Sequence, residues 1–388
     1  MQREVYLDNS ATTRICEEAL NKYVEISREC YGNPSSLHAL GFKAEKILDA
    51  ARTEVQTSLN LNGATVIFTA SGSEANNLAI FGRAFAKERF RRGAKIITTE
   101  GEHASVTEPL AKLAELGFEI VKIPTVHGRL DMDVLRREMT KNVVLVTMMM
   151  VNNETGAIYD TASVAKIMRA ASPDALLHID ATQSYLKIPF TFTSTGADMI
   201  TISSHKIEGP KGVGALVLNP AVIKAKAITP LTLGGGQEGG YRSGTENVPA
   251  IAAFGEAIKI ARATLRERFA YLSELERYLK ERLEKDCPDV SITLPEKKAP
   301  HILNITLPKI KSETMLHHLS SYGVYVSSGS ACSSNSSHVS SALTAFGRSA
   351  AEADSSLRIS LSHRTTREDV DALIDALTVG ISKLSRMK

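Results

Sequence analysis

The chain runs to 388 residues, enough for one large domain plus a smaller one with an ample core. Its 46 Lys and Arg stand against 43 Asp and Glu, a net charge of +3 that gives no sign of a nucleic-acid binder. Cys16, Cys30, Cys287 and Cys332 lie far apart, with no CxxC pair and no histidine at zinc spacing. That pattern, without a signal peptide, points to a reducing cytoplasm. The longest apolar run, 143–151, is too short to cross a membrane, so a soluble cytosolic protein is expected.

In chain order, residues 6–13 (YLDNSATT) read as a short strand entering a polar turn, either an ordinary turn or a backbone lip over a ligand. Asn33 is placed to cap a helix over 34–59, with Pro34 at its first position and Ala44, Ile47, Leu48 and Ala51 on one stripe. Residues 65–69 form a buried strand, followed by small residues from Ala70 to Asn77 and a helix over 78–92. Small residues at a helix N-terminus leave N–H groups outward, where a single phosphate can sit, although a plain serine-capped helix fits the same letters. No GxxxxGK[ST] pattern occurs, which argues against a nucleotide P-loop.

Further buried strands are expected over 95–98, 119–123, 143–151, 175–179 and 197–202, separated by helical stretches. Their ends run into His103, Asn153, Asp180 with Gln183, and His205 with Lys206. Such alternation predicts a mainly parallel sheet whose carboxyl edge carries the site. The glycine-rich stretch 234–247, with Gln237, Arg242 and Thr245 interleaved, suggests a loop that approaches a ligand or a second subunit. One long amphipathic helix over 248–283 follows, with Leu265, Phe269, Leu272, Leu275 and Leu279 on its apolar face. Shorter strands (301–307, 323–327, 357–360) and helices (312–320, 367–384) then suggest a separate α+β domain, carrying a serine-rich loop with Cys332 at its tip.

A lysine after a buried strand, a phosphate cup and a carboxylate at a neighbouring strand end jointly fit pyridoxal 5'-phosphate. Lys206 would bond its aldehyde. Gly72 and Ser73 would take the phosphate, with Ser203 and His205 close by. Asp180 would keep the ring nitrogen protonated so that the ring can accept electrons, and Gln183 would donate to the phenolic oxygen. His103 could stack on the ring; a histidine metal ligand is the competing reading, with no second ligand at a suitable spacing.

The segments YLDNSATT, NPSSLHALG, FTASGSEANN, EGEHASV, VNNETG, HIDATQS, SSHKIEGPKG, GGGQEGGYRSGTEN, SSGSACSS and SSLRISLSHRTT resemble the cysteine desulfurases, from Tyr6 to about Thr366 and in the family's order. The likeness is to the NifS/IscS-like branch of the class-V aminotransferase-fold family, whose nucleophilic cysteine sits in a long SSGSAC loop. It implies the α/β fold of type I pyridoxal enzymes, with a mainly parallel seven-stranded sheet in a large domain (16–260). The small α+β domain would comprise 1–15 and 261–388 and carry the loop at about 326–340. It also implies that Lys206 holds the coenzyme, Asp180 pairs with the ring nitrogen, and Gln183 and Asn153 address the phenolic side. His103 would stack on the ring, a role in proton transfer being left open, and Ser73, Ser203 and His205 would hold the phosphate. Thr245 would reach the phosphate in the other subunit, making the active unit a homodimer. Arg358, assisted by Asn153, would clamp the substrate carboxylate, and Cys332 would accept the sulfur.

The implied activity converts L-cysteine to L-alanine and leaves a persulfide on Cys332, for iron–sulfur cluster assembly or tRNA thiolation. The sulfur acceptor would be a scaffold or thiolation enzyme, and neither a membrane nor nucleic acid would be a direct partner. The chain departs from the family pattern in places. Ser73 stands for a usual threonine and Gly239 for a common arginine, Ser10 and Arg14 vary the first turn, and the residues after Cys332 are unusually serine-rich. The close approach of Lys388 to the last helix suggests that a docking tail is short or absent. An aminotransferase or a selenocysteine lyase on the same scaffold is the first rival reading, and a binding protein that keeps only the fold is the second.

Overall fold

The computed structural model describes residues 3–86, 94–328 and 340–384. Strand β1 (Val5–Tyr6) comes first. Strands β2 (Thr65–Thr69), β3 (Lys95–Thr99), β4 (Glu119–Ile123), β5 (Val143–Met149), β6 (Leu176–Asp180), β7 (Met199–Ser203) and β8 (Gly214–Leu218) form one seven-stranded sheet in the order β2-β8-β7-β6-β5-β3-β4. Every residue of β5, β7 and β8 is buried. Continuous apolar strands of this kind need cover on both faces, which the helices between them provide. All pairings from β4 through β3, β5 and β6 to β7 are parallel. Strand β8 is antiparallel to both β7 and β2. It is absent from the sequence reading, although its GALVL run between Gly214 and Asn219-Pro220 carries the signal of a buried strand.

Strands β9 (Ser291–Thr293), β10 (Ile302–Thr306), β11 (Val324–Tyr325), β12 (Ser327–Ser328) and β13 (Ser356–Ser360) follow. Four of them make the antiparallel sheet β12-β13-β10-β9, while β11 pairs in parallel with β1. The apolar interior is correspondingly divided. One cluster joins Leu48, Phe68, Val146, Ile202 and Phe254. Another joins Val5 and Leu7 with Leu279, Ile305, Leu357 and Leu373.

Three helices differ from expectation. The first proline-led turn is not helical: Asn33 Oδ1 accepts from the Ser35 N–H and its carbonyl from the Ser36 N–H. The helix starts only at Ala39 and runs Ala39–Ser58, capped by His38. An Asx turn that closes on itself satisfies Asn33 locally, so its capping capacity is used before the helix begins. Conversely, the helix expected over 78–92 starts earlier and runs Gly72–Ala84, because Ser71 Oγ caps the Glu74 N–H. The long helix is two, Val248–Ala263 and Leu265–Asp286, broken at Thr264 with φ −110° and ψ 9°. Among the described residues, no helix is long and apolar enough to cross a membrane.

Candidate active site

The carboxyl ends of β2, β3, β5, β6 and β7 open onto one cavity of about 510 Å³. Its wall includes Gly72, Ser73, His103, Asn153, Asp180, Gln183, Ser203, His205, Lys206 and Arg358. Most of the side chains singled out in the sequence therefore meet in one place, although they come from distant parts of the chain. Thr245 does not line this cavity and is exposed. Cys332 lies outside the described residues.

Lys206 sits in the turn after β7 and points at the N-terminal segment. Its Nζ donates to the carbonyls of Ser10 (2.6 Å) and Ala11 (2.8 Å). The same segment is tied to the lysine turn by Thr13, whose N–H and hydroxyl both donate to the His205 carbonyl. The lip over the lysine is thus a backbone structure, one of the two readings left open for YLDNSATT.

Asp180 ends β6 and is buried. Its Oδ2 accepts from Asn76 Nδ2 (2.8 Å) and its Oδ1 from the Thr182 N–H (2.9 Å). Donors on both oxygens stabilise the ionised carboxylate, the state needed beside a protonated ring nitrogen. Gln183 has both ends of its amide held: Nε2 donates to the Ser10 carbonyl (2.9 Å), and Oε1 accepts from Lys187 Nζ (3.1 Å).

The phosphate cup is the first turn of the helix Gly72–Ala84, brought against the end of β7. A Cβ on Gly72 would lie 3.2 Å from Ser203 Cβ, and one on Gly214 would lie 2.7 Å from the Ser71 carbonyl carbon. Glycine at both places lets helix N-terminus and sheet approach closely enough for outward N–H groups and the Ser203 hydroxyl to share one anion. His205 beside it donates to or accepts from Thr12 Oγ1 at 3.1 Å. Burial, helped by the charges of Lys206, Lys187 and Lys211, lowers its pKa to about 4, so it enters the cup neutral.

Arg358, on β13, is buried. Its Nη2 pairs with Asp8 Oδ1 at 2.9 Å and its Nη1 donates to the Asn153 carbonyl at 3.1 Å. Its Nε is buried with no hydrogen-bond partner among the described residues. A guanidinium held at two corners with a further donor unspent is arranged for a carboxylate. Among the described residues, no cluster of three or more His, Cys, Asp or Glu could hold a metal ion.

The profile of the family described as Aminotransferase class-V matches residues 5–373. The chain is 38% identical over 386 residues to the cysteine desulfurase IscS of Dictyoglomus turgidum, covering 99% of this chain and 96% of the relative. The chain belongs to the class-V aminotransferases, in their cysteine desulfurase branch. A solved NifS-like protein superposes with a TM-score of 0.90 at 33% identity, over 98% of this chain and 100% of that one. A structure of SspA in complex with cysteine superposes with a TM-score of 0.79 at 29% identity, over 94% and 100%.

A desulfurase of this family is a pyridoxal phosphate enzyme, and the donor set fits that coenzyme. A lysine amine, a carboxylate held ionised, and a helix N-terminus packed on Ser203 stand around a cavity of about 510 Å³. Sequence reasoning missed Asp8, Asn76 and Ser105, which all line the desulfurase cavity. Asn76 had a findable signal: it follows Gly72 by four residues, so on a helix it stands on the same face as the cup. Asp8 and Ser105 acquire their meaning only from partners far away in the chain.

Proposed function

We infer that the protein removes sulfur from L-cysteine, releases L-alanine and leaves the sulfur on Cys332 as a persulfide. The observation that carries this reading is the meeting of Lys206, Asp180 and Arg358 on one cavity wall, in a chain of desulfurase kinship. Bound pyridoxal phosphate supplies an electron-accepting ring that stabilises charge at the substrate α-carbon. The helix N-terminus at Gly72 and Ser73, with Ser203 and His205, holds the phosphate, and Asp180 and Gln183 orient the ring. Arg358, steadied by Asp8, holds the substrate carboxylate, with Asn153 beside it.

The ε-amine of Lys206, once freed by the incoming amino group, moves the α proton. The Cys332 thiolate attacks the substrate sulfur; an S–S bond forms, the C–S bond breaks, and its electron pair passes to carbon. The β-carbon takes a proton and alanine leaves, so one thiol and one cysteine become one persulfide and one alanine. A free thiol is only a few per cent thiolate at neutral pH, so the loop must favour the anion when it enters the cavity.

The active unit in this reading is a homodimer. Thr245 is exposed and stands off the wall of its own cavity, where it can serve a partner's phosphate. Leu37, fully exposed, and Leu233, 78% exposed, offer apolar surface for such a pairing. The large domain spans 16–260 and the small one 1–15 with 261–388, a division supported by the separate apolar clusters. The sulfur goes on to an acceptor protein of iron–sulfur assembly or tRNA thiolation, in the cytoplasm.

Changing Cys332 to Ala tests the reading. The variant should keep the visible absorbance of the bound coenzyme and lose alanine release from cysteine. Full turnover by that variant would favour an aminotransferase or a selenocysteine lyase instead.

A further inference from the structure

His103 faces the cavity beside two residues with no role so far, Ser105 and Asn76. The geometry around its ring can be read donor by donor. The backbone N–H of Ser105 lies 3.1 Å from His103 Nδ1, and a backbone N–H can only donate. Ser105 Oγ lies 2.9 Å from the same nitrogen. That hydroxyl already accepts an N–H from Asn76 Nδ2 at 2.8 Å. Nδ2 of Asn76 also donates to Asp180 Oδ2 at 2.8 Å. A carboxylate oxygen accepts only, so the Asn76 amide cannot be turned the other way, and both of its hydrogens are spent. The hydrogen of Ser105 Oγ is then left for Nδ1. Two donors converge on one ring nitrogen, which must carry a lone pair.

We propose that Asn76 and Ser105 are positioning residues that lock His103 as the tautomer with Nδ1 accepting and Nε2 protonated. His103 then serves as a ring and a hydrogen-bond donor, while proton abstraction rests on Lys206. This deepens the desulfurase reading and rests on it for its meaning, but the tautomer exists whether or not that reading holds. His103 is also the N-cap of the helix Ala104–Glu115, whose positive end opposes a cation there. Lys206, after β7, and Arg358, on β13, oppose it too, and only Asp180, from β6, favours it. Burial adds to the lowering, so the imidazole stays neutral at physiological pH. Protonating Nδ1 would cost both hydrogen bonds and reverse the chain back to Asp180. A base must present a lone pair, and the nitrogen that His103 turns toward the cavity presents a hydrogen.

The test is long-range proton–nitrogen correlation on the full chain labelled with ¹⁵N-histidine and freed of coenzyme, with His103 assigned by its absence in His103→Gln. Wild type should show Nδ1 unprotonated and Nε2 protonated throughout neutral pH. Ser105→Ala should raise the proton affinity of His103 several-fold or populate the other tautomer, and Ser105→Thr, which keeps the hydroxyl, should restore the wild-type pattern. An Nδ1-protonated ring in wild type, or a Ser105→Ala spectrum identical to wild type, would overturn the proposal. The wild-type spectrum decides even where a variant fails to fold. If the tautomer is as described and Cys332→Ala still turns over cysteine, the functional reading fails and this one stands.

Discussion

Next to His103, Glu102 has its carboxyl buried, and its two oxygens share the Met149 N–H at 3.0 Å and take the Thr99 hydroxyl. Burial raises its pKa to about 8 against those hydrogen bonds, and the charge of Asp180 adds to the rise. The sign of the consequence follows from proton counting. Between its ordinary 4.5 and about 8 the folded chain keeps a proton that the unfolded chain has lost, so stability falls as pH rises through that window. Within it the slope is about 1.4 kcal/mol per pH unit. Glu102→Gln mimics the protonated side chain and should remove this slope. Relative to the variant, the coenzyme-free wild type should lose on the order of 2 kcal/mol between about pH 5.5 and about pH 7.5 in denaturant titrations. An equal gap at both values would sink the argument. The carboxylate that holds Lys206's neighbour ring nitrogen, Asp180, was legible in the sequence as a strand-end acid. Glu102 was not, because nothing in its neighbours announces that Met149, on another strand, closes over it.

His178 shows how strands are tied beneath the site. Lying on β6, it bonds Thr147 Oγ1 of β5 at 2.8 Å and Thr201 Oγ1 of β7 at 2.9 Å. Burial lowers its pKa to about 4, opposed by Asp180, so the strut is made of a neutral imidazole. Here the unfolded chain takes up the proton first, and stability is lost as pH falls from about 6.5 toward 4. His178→Leu leaves two buried hydroxyls unpartnered, at about 1–3 kcal/mol each. Its denaturation midpoint should drop at neutral pH while its sensitivity to acid in that window diminishes. A second tie holds the glycine-rich loop. Glu238, at φ 51°, accepts from Arg52 Nη1 (2.9 Å) and Nη2 (2.7 Å) and from the Phe68 N–H (2.8 Å). A left-handed glutamate is uncommon, and these bonds to its buried carboxylate hold it there. Arg52→Ala strands that charge and should cost about 3–5 kcal/mol in a denaturant titration. A loss below about 1 kcal/mol would mean the pin is idle. The loop's glycines suggested flexibility in the sequence; the anchor comes from a helix far upstream, whose face toward the loop no local pattern marks.

The N-terminal segment runs between the apolar clusters and joins them at the site. Val5 and Tyr6 pair with β11, Asp8 bridges Ser360, and Ser10 and Ala11 then receive Lys206. Asp8 therefore sets Arg358 while its neighbours set the lysine. Asp8→Ala should free the guanidinium and raise the KM for cysteine about tenfold, the equivalent of about 1.4 kcal/mol, with a smaller change in kcat. An unchanged KM would remove Asp8 from substrate binding. The division into helices also belongs here. Leu272, Leu275 and Leu279 are buried as their spacing predicts, yet the chain breaks at Thr264, where contacts pass from the larger cluster to the other. Periodicity continues through such a break because both helices are amphipathic, so it cannot reveal one.

The amino-acid sequence by itself determined the alternation of buried strands and helices, the lysine, acid and glutamine at strand ends, and the family to which the chain belongs. Those features are local: apolar runs, turn residues and short motifs carry them without reference to the rest of the fold. Only the tertiary structure decided that Asn76 meets both Ser105, 29 residues on, and Asp180, 104 residues on, or that Arg358 meets Asp8 across 350. Those meetings depend on sheet order and on the return of the first strand to β11. Hydrogen-bond direction at His103 follows from them, because a donor acquires a role only when its acceptor is in place.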